Sequence, residues 1–194
     1  MQRYLIAGLT GAGLVVAGLA PAQEFKVGST VSDFTVTNPA GAPVRYMALR
    51  GSVTVVLFIA TQCPVSNSYN DRMNAVYDDY SAKGVKFVFI NANVNESAAE
   101  VAEHARKHGF HFTVYKDDDD MAADRFGANV TPEAFVMDAS GTVRYHGYVD
   151  DSMAEERIHT RGLRLALDAV LAGQSVERAQ TKVFGCSIKR RRTS

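Results

Sequence analysis

Cys63 stands where an apolar run hands over to a helix, in Val55-Val56-Leu57-Phe58-Ile59-Ala60-Thr61-Gln62-Cys63-Pro64-Val65-Ser66. A thiol in that place faces unpaired backbone N–H groups and the positive end of the helix dipole, which favours its thiolate near neutral pH. The chemistry this predicts is nucleophilic attack on a disulfide or a peroxide. The chain has 2 cysteines, so an internal partner for Cys63 must be Cys186, in Phe184-Gly185-Cys186-Ser187-Ile188-Lys189. Cys186 has three readings: a resolving thiol, half of a permanent bridge, or a tail thiol that is unpaired or joins another chain. Pro64 has no N–H to lose at the first helical turn. The Ser66 hydroxyl either bonds the Cys63 sulfur or is an ordinary first-turn serine.

Other residues invite chemistry less strongly. Arg125 and Glu133 flank the Thr131-Pro132 turn and read as partners in surface salt bridges. His104 and His108 share a helix face, with His111 close by, but no acidic or cysteine ligand is placed to complete a zinc site. The run Asp117 to Asp120 lacks the alternating spacing of a calcium loop and is expected to cap the helix that follows, through Asp119 or Asp120. No metal and no cofactor is expected. Lys189-Arg190-Arg191-Arg192 reads as a frayed, solvated tail, or as a local positive field around Cys186.

The elements that must position Cys63 follow from periodicity. Val53 to Ala60 is continuously apolar, as in a central strand covered on both faces, and Ser68 to Lys83 carries Met73, Val76, Tyr77 and Tyr80 at helical spacing before Gly84. A second buried strand, Val85 to Asn91, leads into a helix from about Ala98 to Lys107, and two successive β–α units imply parallel strands. Phe34-Thr35-Val36 and Val44-Arg45-Tyr46-Met47 form an N-terminal hairpin around Asn38-Pro39-Ala40-Gly41-Ala42. Phe112 to Tyr115 is a short strand, and a second hairpin turns at Asp138-Ala139-Ser140-Gly141. Thr160 to Ala172 is the last helix. These elements describe an α/β domain with a central mixed sheet flanked by helices.

The chain has 194 residues with 21 Lys and Arg against 21 Asp and Glu. That balance argues against a nucleic-acid or membrane-surface role, since both need a broad positive field. Met1-Gln2-Arg3, the apolar stretch to Leu19 and Ala20-Pro21-Ala22 read as a cleaved export signal, which places the protein in the periplasm or outside the cell. No later segment reaches the roughly eighteen apolar residues of a membrane span, so no stable membrane insertion is expected after cleavage. The domain boundaries expected are residues 1–22 for the signal, 23–175 for the folded domain and 176–194 for a tail that carries Cys186.

The order hairpin, strand, Cys-Pro helix, strand, helix, Thr-Pro turn, hairpin, helix resembles thioredoxin-fold redoxins, the alkyl hydroperoxide reductase and thiol-specific antioxidant superfamily. Thr131-Pro132 is similar to the family's cis-proline turn, and Thr181 to Lys189 looks like the tail of exported bacterial redoxin-domain proteins. The resemblance implies a thiol-disulfide oxidoreductase, with thiol peroxidase as a second activity, in which Cys63 attacks and Cys186 resolves. It implies a substrate-facing surface of Thr61, Pro64, Ser66, Thr131 and Pro132. The expected partners are protein thiols and disulfides or a peroxide, and a second thioredoxin-fold protein that exchanges electrons. The chain departs from the family patterns at Ser66, where reductases carry a second cysteine, and at Val56 and Ala60, where peroxidases carry proline and threonine. Those departures leave a second class of function open: a non-catalytic binding module with Cys63 and Cys186 in a structural bridge.

Overall fold

A computed structural model describes residues 25–191; the expected export signal lies outside the described residues. The chain runs β1 (Thr35–Thr37), β2 (Pro43–Arg45), α1 (Tyr46–Leu49), β3 (Thr54–Phe58), α2 (Pro64–Asn67), α3 (Asn70–Ser81), β4 (Lys86–Asn91) and α4 (Ala98–Lys107). It continues through β5 (Val114–Lys116), α5 (Met121–Phe126), β6 (Val130–Thr131), β7 (Glu133–Met137), β8 (Val143–Gly147), α6 (Gly162–Leu171) and β9 (Cys186–Ser187). Seven strands form one mixed sheet in the order β2-β1-β5-β4-β3-β7-β8, with β3, β4 and β5 parallel. β7 runs antiparallel to β3 and β8, and the hairpin of β1 and β2 extends the opposite edge beside β5. This is the thioredoxin-like arrangement expected, with its N-terminal hairpin. Tyr46 and Met47, expected in the second hairpin strand, instead open α1.

Because alternate residues of a strand face opposite sides, β3 feeds two cores at once. Val55 and Leu57 pack with Met73, Val76 and Tyr80 of α3, Val101 of α4 and Leu163 and Leu167 of α6. Val56 and Phe58 face the other layer, with Phe25, Phe34, Tyr46 and Ala122, Ala123 and Phe126 of α5. Every residue of β3 and of β7 is buried. Burial of one such large side chain stabilises the fold by about 1.5–3 kcal/mol, so β3, which leads into the Cys63 turn, and β7 beside it are both firmly seated. Among the described residues no helix is long and apolar enough to cross a membrane.

The N-cap expected from Asp119 or Asp120 is corrected. Asp120 occupies the N-cap position of α5, but its backbone is left-handed (φ 61°) and its side chain makes no capping bond. The carboxylate of Asp117 caps instead, accepting the N–H groups of Ala122 at 3.1 Å and Ala123 at 2.8 Å, while Asp119 accepts Met121 N–H at 3.2 Å. Burial pushes the Asp117 carboxyl from its ordinary 3.8 to about 6, against the opposing pull of those two N–H groups.

The tail is not frayed over its described length. β9 pairs antiparallel with β6, setting Cys186 opposite Thr131 and Ser187 opposite Val130. Ile188 is buried in the Phe25 and Phe126 layer. The Arg190 guanidinium meets Asp124 at 2.8 Å, and Arg191 N–H is accepted by Asp120 at 2.9 Å. Arg190 and Arg191, in the run expected to be solvated, thus lie against the acidic residues around α5.

Candidate functional site

The site forms where β3, β4 and β5 end together, since parallel strands bring their carboxyl ends to one edge of the sheet. Beyond β3 the chain turns through Ala60, Thr61 and Gln62 to Cys63, the N-cap of α2, with φ −91° and ψ 115°. Extended backbone is the usual N-cap conformation, and the cap side chain accepts an N–H of the first turn. Here the Cys63 sulfur does so, receiving the Ser66 backbone N–H at 3.3 Å. Pro64 holds the first helical position and is exposed. The Ser66 hydroxyl turns away from the sulfur and accepts Ala60 N–H at 3.1 Å, so it braces the turn, and only its backbone touches Cys63.

The rest of the turn is held by a buried polar group that sequence reasoning did not find. Glu96, 3% exposed, accepts Thr61 N–H at 2.7 Å on one oxygen and Gln62 N–H at 3.0 Å on the other. Asn91, the last residue of β4, donates to the same carboxylate at 2.5 Å, and Asn67 donates to Thr61 O at 2.9 Å. Behind them Lys116, the last residue of β5, donates its ammonium to Asn91 Oδ1, Asn93 O and Glu96 O at 2.8, 2.9 and 2.8 Å. Burial pushes the Lys116 pKa down, opposed by the carboxylates of Asp118, Glu96, Asp117 and Asp120. The available signal was the polar run Asn91-Ala92-Asn93-Val94-Asn95-Glu96 at the carboxyl end of a parallel strand, read only as a link into α4.

Opposite the turn, the Thr131–Pro132 peptide bond is cis. Thr131 O lies 3.5 Å from the Cys63 sulfur, and the buried Thr131 hydroxyl finds no partner among the described residues. Glu133 fixes this loop from below. It is 1% exposed and accepts the N–H groups of Asn129 at 2.8 Å and Val130 at 3.1 Å, with His146 Nε2 at 2.6 Å. Its expected place in a surface salt bridge is therefore corrected: the carboxylate is interior, where two backbone N–H groups and a ring nitrogen of His146 converge on it. Arg125 points elsewhere, donating to Asp33 O at 2.6 Å and lying over the Phe25 ring.

Cys63 and Cys186 are joined in a disulfide, with Cα atoms 5.8 Å apart across 123 residues of sequence. Cys63 is 3% exposed, and its sulfur lies between α2, the cis-proline loop and β9. A cleft of about 130 Å³ opens beside it, lined by Gln62, Asn95, Glu96, Thr131 and both cysteines. Of the expected substrate-facing residues, the backbone of Thr61 is committed to Glu96 and Asn67, while the Ser66 N–H and the Thr131 carbonyl meet the sulfur and Pro64 and Pro132 are their neighbours along the chain. Gly185 makes the approach of the tail possible: a Cβ there would press into the Thr131 carbonyl, far inside van der Waals contact.

His104, His108 and His111 do not line this cleft. The rings of His104 and His108 are 4.3 Å apart on α4, and burial, with the neighbouring His108, lowers the His104 pKa. His111 pairs with Asp78 at 2.8 Å. Among the described residues no group of three or more His, Cys, Asp or Glu is placed to hold a metal ion.

Comparison with known proteins agrees with this geometry. The chain is 29% identical over 118 residues to the thiol-disulfide oxidoreductase ResA of Geobacillus thermodenitrificans (strain NG80-2), covering 61% of this chain and 67% of that one. A crystal structure of an uncharacterized conserved protein from Geobacillus kaustophilus superposes with a TM-score of 0.81 at 30% identity, over 88% of this chain and 95% of that chain. A protein from Sinorhizobium meliloti 1021 superposes with a TM-score of 0.80 at 28% identity, over 88% and 98%. The family model described as the AhpC/TSA family matches residues 27–146, from before β1 into β8 and so across the Cys63 turn and the cis-proline loop. On that match the chain belongs to the AhpC/TSA family, and it is a thiol-dependent oxidoreductase.

Proposed function

We propose that Cys63 is the attacking thiol and Cys186 the resolving one in a cycle of thiol-disulfide exchange. The observation that carries this reading is the disulfide itself, which joins the helix N-cap to the tail beside the cis-proline loop. In the reduced protein the Cys63 thiolate is supported by the Ser66 N–H and by the helix start. It attacks one sulfur of a substrate disulfide; the substrate S–S bond breaks, a mixed disulfide forms and the leaving thiolate takes a proton. The Cys186 thiolate then attacks Cys63 Sγ, releases the second substrate thiol and closes the internal bridge. A dithiol from a second thioredoxin-fold protein reopens it, and the relative potentials of substrate and donor set the direction of flow.

Peroxide reduction is the second activity of the same thiolate, passing through a Cys63 sulfenic acid that Cys186 condenses with loss of water. Disulfide exchange ranks first, because Ala60 offers no hydroxyl to a peroxide and the Thr61 N–H is taken by Glu96. We assign residues 1–22 as an export signal and the mature protein to the periplasm or the exterior, on the strength of the Ala20-Pro21-Ala22 site. N-terminal sequencing of the protein recovered from cells tests this; an intact Met1 overturns it.

The central test is a pair of variants. Cys63→Ser abolishes turnover of a protein disulfide, while Cys186→Ser accumulates a mixed disulfide, or a sulfenic acid with peroxide, detectable by mass. Wild-type activity in both variants overturns the proposal, and absence of turnover by the wild-type protein itself favours the non-catalytic binding module.

A further inference from the structure

The tail seats in a cleft that hydrogen-bonds it along both of its edges. On one side β6 pairs with Cys186 and Ser187, and Ile188 N–H is accepted by Asn129 O at 2.9 Å. On the other, Lys189 donates its N–H to Asn93 Oδ1 at 2.8 Å and accepts the Val94 N–H at 2.9 Å. Two side chains fill built subsites. Ile188 is buried in the layer beneath α5. Arg190 reaches Ala128 O at 2.5 Å, Asp120 O at 3.3 Å and the Asp124 carboxylate at 2.8 Å.

Cys63 is buried while this tail is in place, so a substrate reaches it only when the tail has left. A protein disulfide that meets Cys63 must then present its sulfur where the Cys186 sulfur sits. That requirement sets the register of the residues around it, because the extended backbone of a substrate adds to β6 as β9 does. We infer that this cleft is a substrate-recognition site selecting extended polypeptide segments of the pattern Gly-Cys-x-apolar-x-Arg, of which the tail Gly185 to Arg190 is the resident occupant. The preceding residue must be glycine because of the Thr131 carbonyl. The apolar residue two places after the cysteine replaces Ile188, and the arginine four places after it replaces Arg190. The inference rests on Cys63 being the attacking thiol, and it adds Asp120 and Asp124, which meet the arginine, as specificity-determining residues, with Asn93 and Asn129 holding the backbone.

The test uses the full chain carrying Gly185→Ala and Cys186→Ser, whose tail cannot seat or resolve. Peptides with the sequence of residues 183–191 are supplied as mixed disulfides with glutathione. Cys63 thiolate attacks the peptide sulfur, the peptide–glutathione S–S bond breaks, and glutathione leaves as the thiolate and is protonated. Adduct formation is followed by mass. The parent peptide is expected to react at least tenfold faster than versions with alanine for the glycine or aspartate for the isoleucine. Alanine for the arginine is expected to slow it severalfold, a difference that Asp124→Ala in the protein removes. A labelled peptide with serine for the cysteine, followed by anisotropy, should show the same ranking without any chemistry.

Equal rates across the panel and no anisotropy change overturn the recognition site while leaving Cys63 as nucleophile. Failure of Cys63 to react even with glutathione disulfide overturns the proposed function. In that case the anisotropy ranking alone decides the cleft, and a flat ranking sinks it.

Discussion

Glu96 reaches back 35 residues to accept the Thr61 N–H at 2.7 Å, and the same carboxylate holds Gln62. Both donors are backbone groups of the turn that aims Cys63, so the shape of that turn depends on two acceptor oxygens. Glu96→Gln retains only one, and a buried N–H left without a partner costs about 1–3 kcal/mol. Urea denaturation should find the variant less stable by that amount. Stability equal to wild type would show that the carboxylate does not hold the turn.

Lys116 serves three oxygens at once, from Asn91, Asn93 and Glu96. Lys116→Met keeps much of the volume but strands all three acceptors in the interior, so a loss of about 2–4 kcal/mol is expected. A change smaller than about 0.5 kcal/mol in the denaturation midpoint analysis would rule out this role, since that is the scatter of ordinary surface substitutions.

The raised pKa of Asp117 gives a pH dependence of known sign. The folded state binds this proton more tightly than the unfolded chain does, with a value near 6 against 3.8. Its contribution is therefore most favourable below about pH 4 and is lost as pH rises toward 6, by roughly 3 kcal/mol in total. Asp117→Asn should remove this step. The difference in unfolding free energy between variant and wild type should change between pH 4 and 6 and stay level above; a flat difference throughout contradicts the assignment.

The bridge between Cys63 and Cys186 spans 123 residues. Loop-closure entropy for so long a ring gives an upper value of about 5 kcal/mol, so dithiothreitol should lower stability by about 2–5 kcal/mol without unfolding the sheet. In a glutathione or dithiothreitol series, a linkage potential between about −120 and −270 mV fits a working redox pair. A value well below about −300 mV marks a structural clasp and the binding-module reading.

The Cys63 turn was legible because its signal is local: an unbroken apolar strand followed by Cys63-Pro64 has few other meanings. The parallel sense of β3 and β4 followed from the same kind of signal, two successive β–α units, and the two hairpins from their turn residues, whereas the order of strands in the sheet did not. Glu96 was hidden, since a carboxylate at the start of a helix reads as an ordinary solvated acid until tertiary contact brings Thr61 to it. Glu133 was misplaced for the same reason. The acidic run was correctly read as capping, but the left-handed backbone at Asp120 moved that task to Asp117. Ile188, one apolar residue beside a basic run, carries no periodicity by which its burial could be foreseen.

The covalent ring closed by Cys63 and Cys186 also sets how the molecule answers to force. Pulled from its two ends in the oxidised state, the chain cannot pay out the 123 residues between the cysteines, even if every strand and helix within them melts. Reduction adds that length to the tether, on the order of 400 Å when fully drawn out. The number of electrons on two sulfur atoms thus decides whether the protein, under tension, is a short link or a long one.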